Sequence, residues 1–378
     1  MRVLHFYKTA IPDTVGGVEQ VIHQLGRGAA RRGHEIAVLS LSPAPDPRVV
    51  VTDGYSVHRE RIDFEIASTP FSLSSLHRFS QLSKWADIVH FHFPWPFMDL
   101  ARLVVSLDKP SIVTYHSDIV RQTMLLGLYR PLMNKFLGSA DQIVATSSNY
   151  LSTSPTLDRF RDRVSVIPIG LDRSNYPAPT TSKIALWRDR LGPKFFLFIG
   201  VLRYYKGLHI LLDAMHGLDC PLVIIGTGPI EDEIKRRVHK LGLANVHLLG
   251  YLPDEDKVAI LQLAYGIVFP SHLRSEAFGV SLLEGAMFGK PMISSEIGTG
   301  TTFINISSET GLVVPPSDPN GLRDAMRTLW ENETLAAEMG RRAEERYRIY
   351  FTGDQMNDRY IDLYRRMIAQ RRSARAAR

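Results

Sequence analysis

The stretch Phe195-Phe196-Leu197-Phe198-Ile199-Gly200-Val201-Leu202-Arg203-Tyr204-Tyr205-Lys206-Gly207 decides the fold. An unbroken apolar run reads as a buried strand, a glycine ends it, and a loop carrying two bases leads into a helix-like pattern. Strand, basic loop, helix is a phosphate-binding arrangement. Ligands of open α/β sheets bind beyond the carboxyl ends of the strands, and there Arg203 can fork two phosphate oxygens while Lys206 adds a point charge.

The same alternation extends outward. In the second half, strands are expected at Phe195 to Gly200, Leu222 to Gly226, Val246 to Leu249, Ile267 to Pro270, Pro291 to Ser294 and Leu312 to Val314, each followed by a helical pattern. In the first half they are expected at Val3 to Tyr7, Ile36 to Leu41, Asp87 to His92, Ser111 to His116 and Gln142 to Thr146, with a first helix burying Val18, Val21, Ile22, Leu25 and Ala29. A β, α, β order predicts parallel sheets, and 378 residues at about 150 per domain suggest two Rossmann-like domains. The polar, proline-bearing segment from Gly170 to Ser182 predicts a boundary near residue 180, giving domains 1–180 and 181–350. Residues 351–378 then form a crossing helix, with Met356, Tyr360, Leu363, Tyr364 and Met367 on one face, and a basic tail.

With 44% apolar and 22% charged residues, disordered, collagen-like and disulfide-scaffold classes are excluded. The single cysteine, Cys220, reads as a small buried thiol. No apolar stretch approaches the ~20 residues that span a bilayer, and the N-terminus lacks a signal-peptide pattern, so a cytoplasmic protein is expected. The net charge is +6, and Arg365, Arg366, Arg371, Arg372, Arg375 and Arg378 crowd the last fourteen residues without an acid. No nucleic-acid motif accompanies them. An anionic membrane surface is the partner that such a polybasic tail suits, which would place the protein peripherally on the inner face of the membrane; a frayed, solvated tail is the alternative.

A second signal runs from Phe269-Pro270-Ser271 through Ser275-Glu276-Ala277-Phe278-Gly279-Val280-Ser281-Leu282-Leu283-Glu284-Gly285. If Gly279 opens a helix, the first turn offers free N–H groups to an anion. Glu276 then stands in the preceding loop and Glu284 inside the helix, two carboxylates suited to the vicinal hydroxyls of a sugar and a ribose. A third element, Val15-Gly16-Gly17-Val18-Glu19, opens the first helix and lets backbone N–H groups approach a diphosphate. Asp254-Glu255-Asp256 has a metal-binding look but sits where acids cap a helix start. His90 and His92 point to one side of a strand without a third ligand in view, which favours loop shaping or acceptor contact over zinc. Arg121 to Leu137, with Met124, Leu125, Leu126, Leu128, Leu132, Met133, Phe136 and Leu137, reads as a basic amphipathic helix at a membrane interface or as a core helix.

Taken together, these motifs resemble the retaining, GT-B-fold nucleotide-sugar transferases of glycosyltransferase family 4. The resemblance covers nearly the whole chain: the Gly16-Gly17 loop, Asp87 to His92, Thr114-Tyr115-His116-Ser117-Asp118, the Arg203 and Lys206 loop, Gly226-Thr227-Gly228-Pro229, and the glutamate pair. It implies two Rossmann-like domains facing across a cleft, with the C-terminal helix packing back across the lobes. It assigns Glu284 to the ribose, Glu276 to the donor sugar, Arg203 and Lys206 to the diphosphate, and His116 to the donor sugar and reacting centre. Gly16, Gly17, Gly226, Gly279, Val280 and Ser281 would complete the nucleotide-sugar site. No metal or other cofactor is expected. In the common family pattern the arginine directly follows the glycine; here Val201 takes that position and the arginine comes two residues later. The loop looks like that of bacterial polysaccharide mannosyl- and rhamnosyltransferases, which implies a GDP-hexose donor and a lipid-linked or polysaccharide acceptor, as in O-antigen synthesis.

A UDP-sugar-dependent transferase of the same fold is the alternative. A nicotinamide-dependent oxidoreductase fits less well, because Gly16-Gly17 lacks the third glycine and Leu39-Ser40-Leu41-Ser42 lacks the ribose-binding acid. A sugar-binding module without catalysis is the non-enzyme alternative.

Overall fold

The structure is a computed structural model that describes residues 1–66, 69–119 and 123–376, with the side chains of 123–126 outside the description. It divides into two units, one of Met1–Gly170 with Gly353–Arg378 and one of Leu171–Thr352.

The first unit holds an eight-stranded sheet in the order Val164–Val166, Gln142–Ala145, Ser111–Tyr115, Ile88–Phe93, Arg2–Phe6, Glu35–Ser42, Tyr55–Arg61, Val49–Thr52. Every pairing is parallel except the last, a hairpin. The inner strands are buried along their length, as expected of parallel strands covered on both faces. Arg2–Phe6 is flanked by the next strand in sequence on one side and by Ile88–Phe93 on the other. The strand order therefore reverses at its carboxyl end, the place where ligands of open α/β sheets bind.

The second unit repeats this plan with six strands, all parallel, in the order Val246–Gly250, Leu222–Ile225, Phe196–Ile199, Gly266–Phe269, Met292–Ser295, Gly311–Val314. Its reversal point lies at the end of Phe196–Ile199, where the Gly200 to Gly207 loop begins. Phe196, Phe198, Ile224, Val268, Leu211 and Met326 pack its core with helices that include Leu208–Ala214 and Pro319–Glu331.

The sequence reading put the boundary near residue 180, but the units divide after Gly170 because the proline-bearing segment is tied into the second unit. Leu171 N–H donates to Phe351 C=O at 2.9 Å, Tyr347 Oη donates to Leu171 C=O at 2.8 Å, and Arg173 lies 3.6 Å from Glu344. The terminal helix, Gly353–Ala376, belongs to the first unit. There Asn357 is buried against Gly28 of helix Gly17–Arg31 and donates to Gln24 C=O at 3.2 Å. Its expected apolar face is buried throughout, and the helix runs on to Ala376, where Arg375 donates to Asp108 C=O at 2.9 Å. The basic tail is thus helical through its described residues rather than frayed; Arg378 lies outside them.

Arg121 and the side chains of Met124, Leu125 and Leu126 also lie outside the described residues. The helix that follows, Thr123–Ser139, buries Met133, Phe136 and Leu137 and exposes Leu128. Cys220 is buried, and burial pushes its thiol up to about 11. No helix among the described residues is long and apolar enough to cross a membrane.

Candidate active site

In the second unit, the loop after Phe196–Ile199 is stitched to the loop after the neighbouring strand. Leu202 N–H donates to Thr227 C=O at 2.9 Å, and Ile230 N–H donates back to Leu202 C=O at 3.3 Å. Contact is so close that a Cβ at Gly226 would strike the Gly200 carbonyl and one at Gly228 the Leu202 backbone. Beside these loops lies a pocket of about 230 Å³ lined by Leu202, Gly226, Ile234, Leu248, Leu249 and Gly250.

The loop then tightens into a single 3-10 turn, Tyr204–Lys206, closed by Gly207 at φ +71°. That turn directs Lys206 into the protein. Lys206 is 9% exposed and forms an ion pair with Glu276, itself 8% exposed. Ser271 Oγ donates to the same carboxylate oxygen at 3.2 Å, and the Lys206 ammonium lies 4.7 Å from the Phe269 ring. Arg203, by contrast, is exposed and makes no side-chain hydrogen bond or ion pair among the described residues.

Gly279 sits at φ +98° and opens helix Val280–Met287 without a side-chain cap. The helix's own ladder starts at Leu283 N–H, which donates to Gly279 C=O at 3.0 Å. The N–H groups of Val280, Ser281 and Leu282 are therefore not used by the helix and carry the partial positive charge that attracts anions. Glu284 lies inside this helix as expected, and it too is buried. It accepts from Tyr176 Oη at 2.9 Å and lies 3.7 Å from Lys257 Nζ. Burial alone would lower the Lys257 ammonium, yet Glu284 and Asp254 hold it above its ordinary value.

Tyr176 and Lys257 escaped the sequence reading, and Ser271, inside the quoted motif, had been given no role. Tyr176 stands 108 positions from Glu284 in a segment read as linker, and no spacing pairs residues at that range. Asp254, Glu255 and Asp256 occupy a helix's first turn, but as ion-pair partners rather than caps: Lys183 lies 3.1 Å from both Glu255 and Asp256, and Lys257 lies 3.1 Å from Asp254. Trp187 Nε1 also donates to Asp256 at 2.8 Å.

In the first unit, Gly16 caps helix Gly17–Arg31. The Glu19 carboxylate folds back beside it, accepting from Thr9 Oγ1 at 2.6 Å and Thr14 Oγ1 at 3.1 Å. His116 follows strand Ser111–Tyr115 and is 6% exposed. Its Nε2 lies 3.0 Å from His92 Nδ1, and His92 Nε2 lies 3.0 Å from His5 Nδ1. The sequence reading saw no third group near His90 and His92; strand register supplies one by setting His5 opposite His90. His90 is not an acceptor-facing residue but a core one, with Nδ1 2.8 Å from Tyr364 Oη and Nε2 2.7 Å from Thr114 Oγ1. One nitrogen from each of His5, His90 and His92 falls within 4.8 Å of the others. Both nitrogens of His90 and of His92 already make hydrogen bonds, so a cation there would displace one from each ring. Burial pushes His5 and His116 down to about 3 and holds His90 and His92 well below the usual imidazole range, so all four are neutral at physiological pH.

Two family models match: "Glycosyltransferase Family 4" over residues 15–175 and "Glycosyl transferases group 1" over residues 183–346. The chain is 60% identical to the D-rhamnosyltransferase WbpZ of Pseudomonas aeruginosa, over 93% of this chain and 92% of that one. It is 50% identical to the O-antigen chain mannosyltransferase C of Escherichia coli, over 96% and 98%. Among solved structures, sucrose-phosphate synthase from Thermosynechococcus elongatus aligns with a TM-score of 0.80 at 21% identity, over 98% of this chain and 99% of that one. WaaG, a glycosyltransferase of lipopolysaccharide biosynthesis, aligns with 0.70 at 15% identity, over 94% and 98%. With two Rossmann-like units and these relatives over nearly its full length, the chain belongs to the GT-B-fold glycosyltransferases of family 4.

Proposed function

We propose that the protein moves a mannose- or rhamnose-type hexose from a GDP-sugar to a lipid-linked or polysaccharide acceptor of O-antigen synthesis, with retention at the anomeric carbon. The observation that carries this reading is the buried Lys206–Glu276 pair beside an uncapped helix start. In a nucleotide sugar the last phosphate is bonded to the sugar, so a cation for the phosphate and a carboxylate for the sugar hydroxyls belong side by side. Glu284, held by Tyr176 and Lys257, suits the ribose diol. The relatives named for rhamnosyl and mannosyl transfer support the choice of hexose.

In the reaction, the bond between the anomeric carbon and the phosphate oxygen breaks, and a bond from the acceptor hydroxyl oxygen forms on the same face. The acceptor proton passes to the departing phosphate. Charge grows on the diphosphate, so Lys206, Arg203 and the N–H groups of Val280 and Ser281 stabilise the transition state more than the ground state. Gly226 keeps the loop that follows Leu222–Ile225 packed against the Gly200 loop. His116 takes the role at the donor sugar that the family resemblance gives it. With cationic side chains and a helix terminus to neutralise the diphosphate, no metal is required. The arginine-rich end of the terminal helix is assigned to an anionic membrane surface.

A thermal-shift panel of GDP, UDP and ADP tests the donor assignment. GDP at a hundredfold excess over its dissociation constant should stabilise by about 2.7 kcal/mol, more than UDP or ADP, and the shift should persist in EDTA. A larger shift with UDP would overturn the GDP assignment. A GDP shift that EDTA removes and magnesium or manganese restores would overturn metal independence.

A further inference from the structure

The His5–His92–His116 chain has a property that none of its members has alone. Adjacent rings lie nearly parallel, at 22° and 18°, and each contact joins one nitrogen of each ring at 3.0 Å. His90 stacks on His92 at 4.2 Å between centroids but spends its own nitrogens on Tyr364 and Thr114, so it supports the chain without joining it.

A neutral imidazole has one N–H and one bare nitrogen, and each ring-to-ring hydrogen bond needs one of each. Three neutral rings joined by two bonds therefore have only two proton arrangements, and all three tautomers switch together. One arrangement ends in an N–H at His5 Nε2, the other in an N–H at His116 Nδ1. His5 is 1% exposed and His116 6%. A donor N–H needs a partner more than a bare ring nitrogen does, so the N–H belongs at the more accessible end of the chain, His116.

We propose that His5 and His92 are positioning residues that hold His116 as its Nδ1–H tautomer. His5 Nδ1–H donates to His92 Nε2, His92 Nδ1–H donates to His116 Nε2, and His116 is left with an N–H to offer an oxygen of the donor sugar or its phosphate. The catalytic consequence rests on the assignment of His116 to the donor; the tautomer itself does not.

The test is long-range proton–nitrogen NMR of the ligand-free full-length protein labelled with ¹⁵N-histidine, which distinguishes N–H from bare ring nitrogens. The His116 signals are assigned by their loss in His116→Gln. Wild-type protein should show His116 with a protonated Nδ1 and a bare Nε2. In His92→Phe the donor to Nε2 is gone, and an Nε2–H form should appear. His5→Gln touches no atom of His116, yet its amide can accept as well as donate, so both arrangements form and a second set of His116 signals should appear. With that variant kcat should fall about tenfold, the worth of one hydrogen bond, while the donor KM changes by less than about twofold. A merely structural role for His5 would leave the His116 tautomer untouched. A bare Nδ1 in the wild-type spectrum would overturn the proposal, and that spectrum decides even if neither variant folds. Unaltered His116 signals in folded His5→Gln would overturn it as well. If His116→Gln transfers sugar at the wild-type rate, the donor-contact reading fails, and the spectra still decide the tautomer chain.

Discussion

Lys206→Met is expected to lose both stability and turnover, by more than any other single change in the second unit's site. Removing one partner of a buried ion pair leaves the other charge uncompensated, at a cost of about 3–5 kcal/mol. At roughly 2–4 °C per kcal/mol for a unit of this size, the melting temperature should drop by about ten degrees. Turnover should fall at least about a hundredfold, because the lysine's partner in the transition state is the charge growing on the leaving diphosphate. The double variant Lys206→Met/Glu276→Met removes both charges, so it should regain most of the stability and none of the turnover. Thermal melts and steady-state rates on the two variants check this. A double variant no more stable than the single one would contradict the burial of the pair. Arg203→Ala supplies the contrast: its side chain is exposed, so stability should stay within about 0.5 kcal/mol of wild type.

Gly207→Ala should be nearly as damaging, for a reason rooted in the backbone. The residue holds φ +71°, a region that costs an L side chain roughly 1–2 kcal/mol, and its Cβ would collide with the carbonyl of Pro270. That carbonyl belongs to the segment leading to Ser271 and Glu276, so the clash pushes apart the two loops that bring Lys206 and Glu276 together. A loss of about 3 kcal/mol or more is expected, accompanied by a fall in turnover. Gly217→Ala is the control, with φ +77° and nothing within 4 Å of the built Cβ. It should lose only the backbone term, about 1–2 kcal/mol. Equal losses in the two variants by chemical denaturation would show that the Pro270 contact carries no energy.

The second unit was almost fully legible because parallel strands covered on both faces are apolar runs, and apolar runs survive in sequence without partners. All six strands stand within a residue or two of their expected places. The hairpin of the first unit was not read. Val49–Thr52 is a four-residue edge strand, and Tyr55–Arg61 interleaves polar residues and ends in the three charges Arg59, Glu60 and Arg61, so neither resembles a core strand. A signal was nevertheless present: Asp53-Gly54 links them as a two-residue turn, with both residues at positive φ.

The same contrast holds for the site. Glu276, Glu284 and Lys206 announce themselves by local spacing around a glycine turn. Tyr176 and Lys257 come to Glu284 only through tertiary packing. His92 and His116 could be guessed from their strands, but the chain through His5 depends on strand register, which places His5 beside His90 and Thr114 beside His92. Periodicity fixes which face a residue takes; it does not fix which residue on the next strand lies opposite.

Product analysis separates the proposed retaining transfer of a hexose from a GDP-sugar from its alternatives. GDP-linked mannose and GDP-linked rhamnose should be incubated with a lipid-linked oligosaccharide acceptor, and both GDP release and the anomeric configuration of the product followed by NMR. One GDP should be released per sugar transferred, only when acceptor is present, and the new linkage should keep the donor's anomeric configuration. A product of inverted configuration, or sugar transferred from a UDP donor and from neither GDP donor, would contradict the proposed transfer.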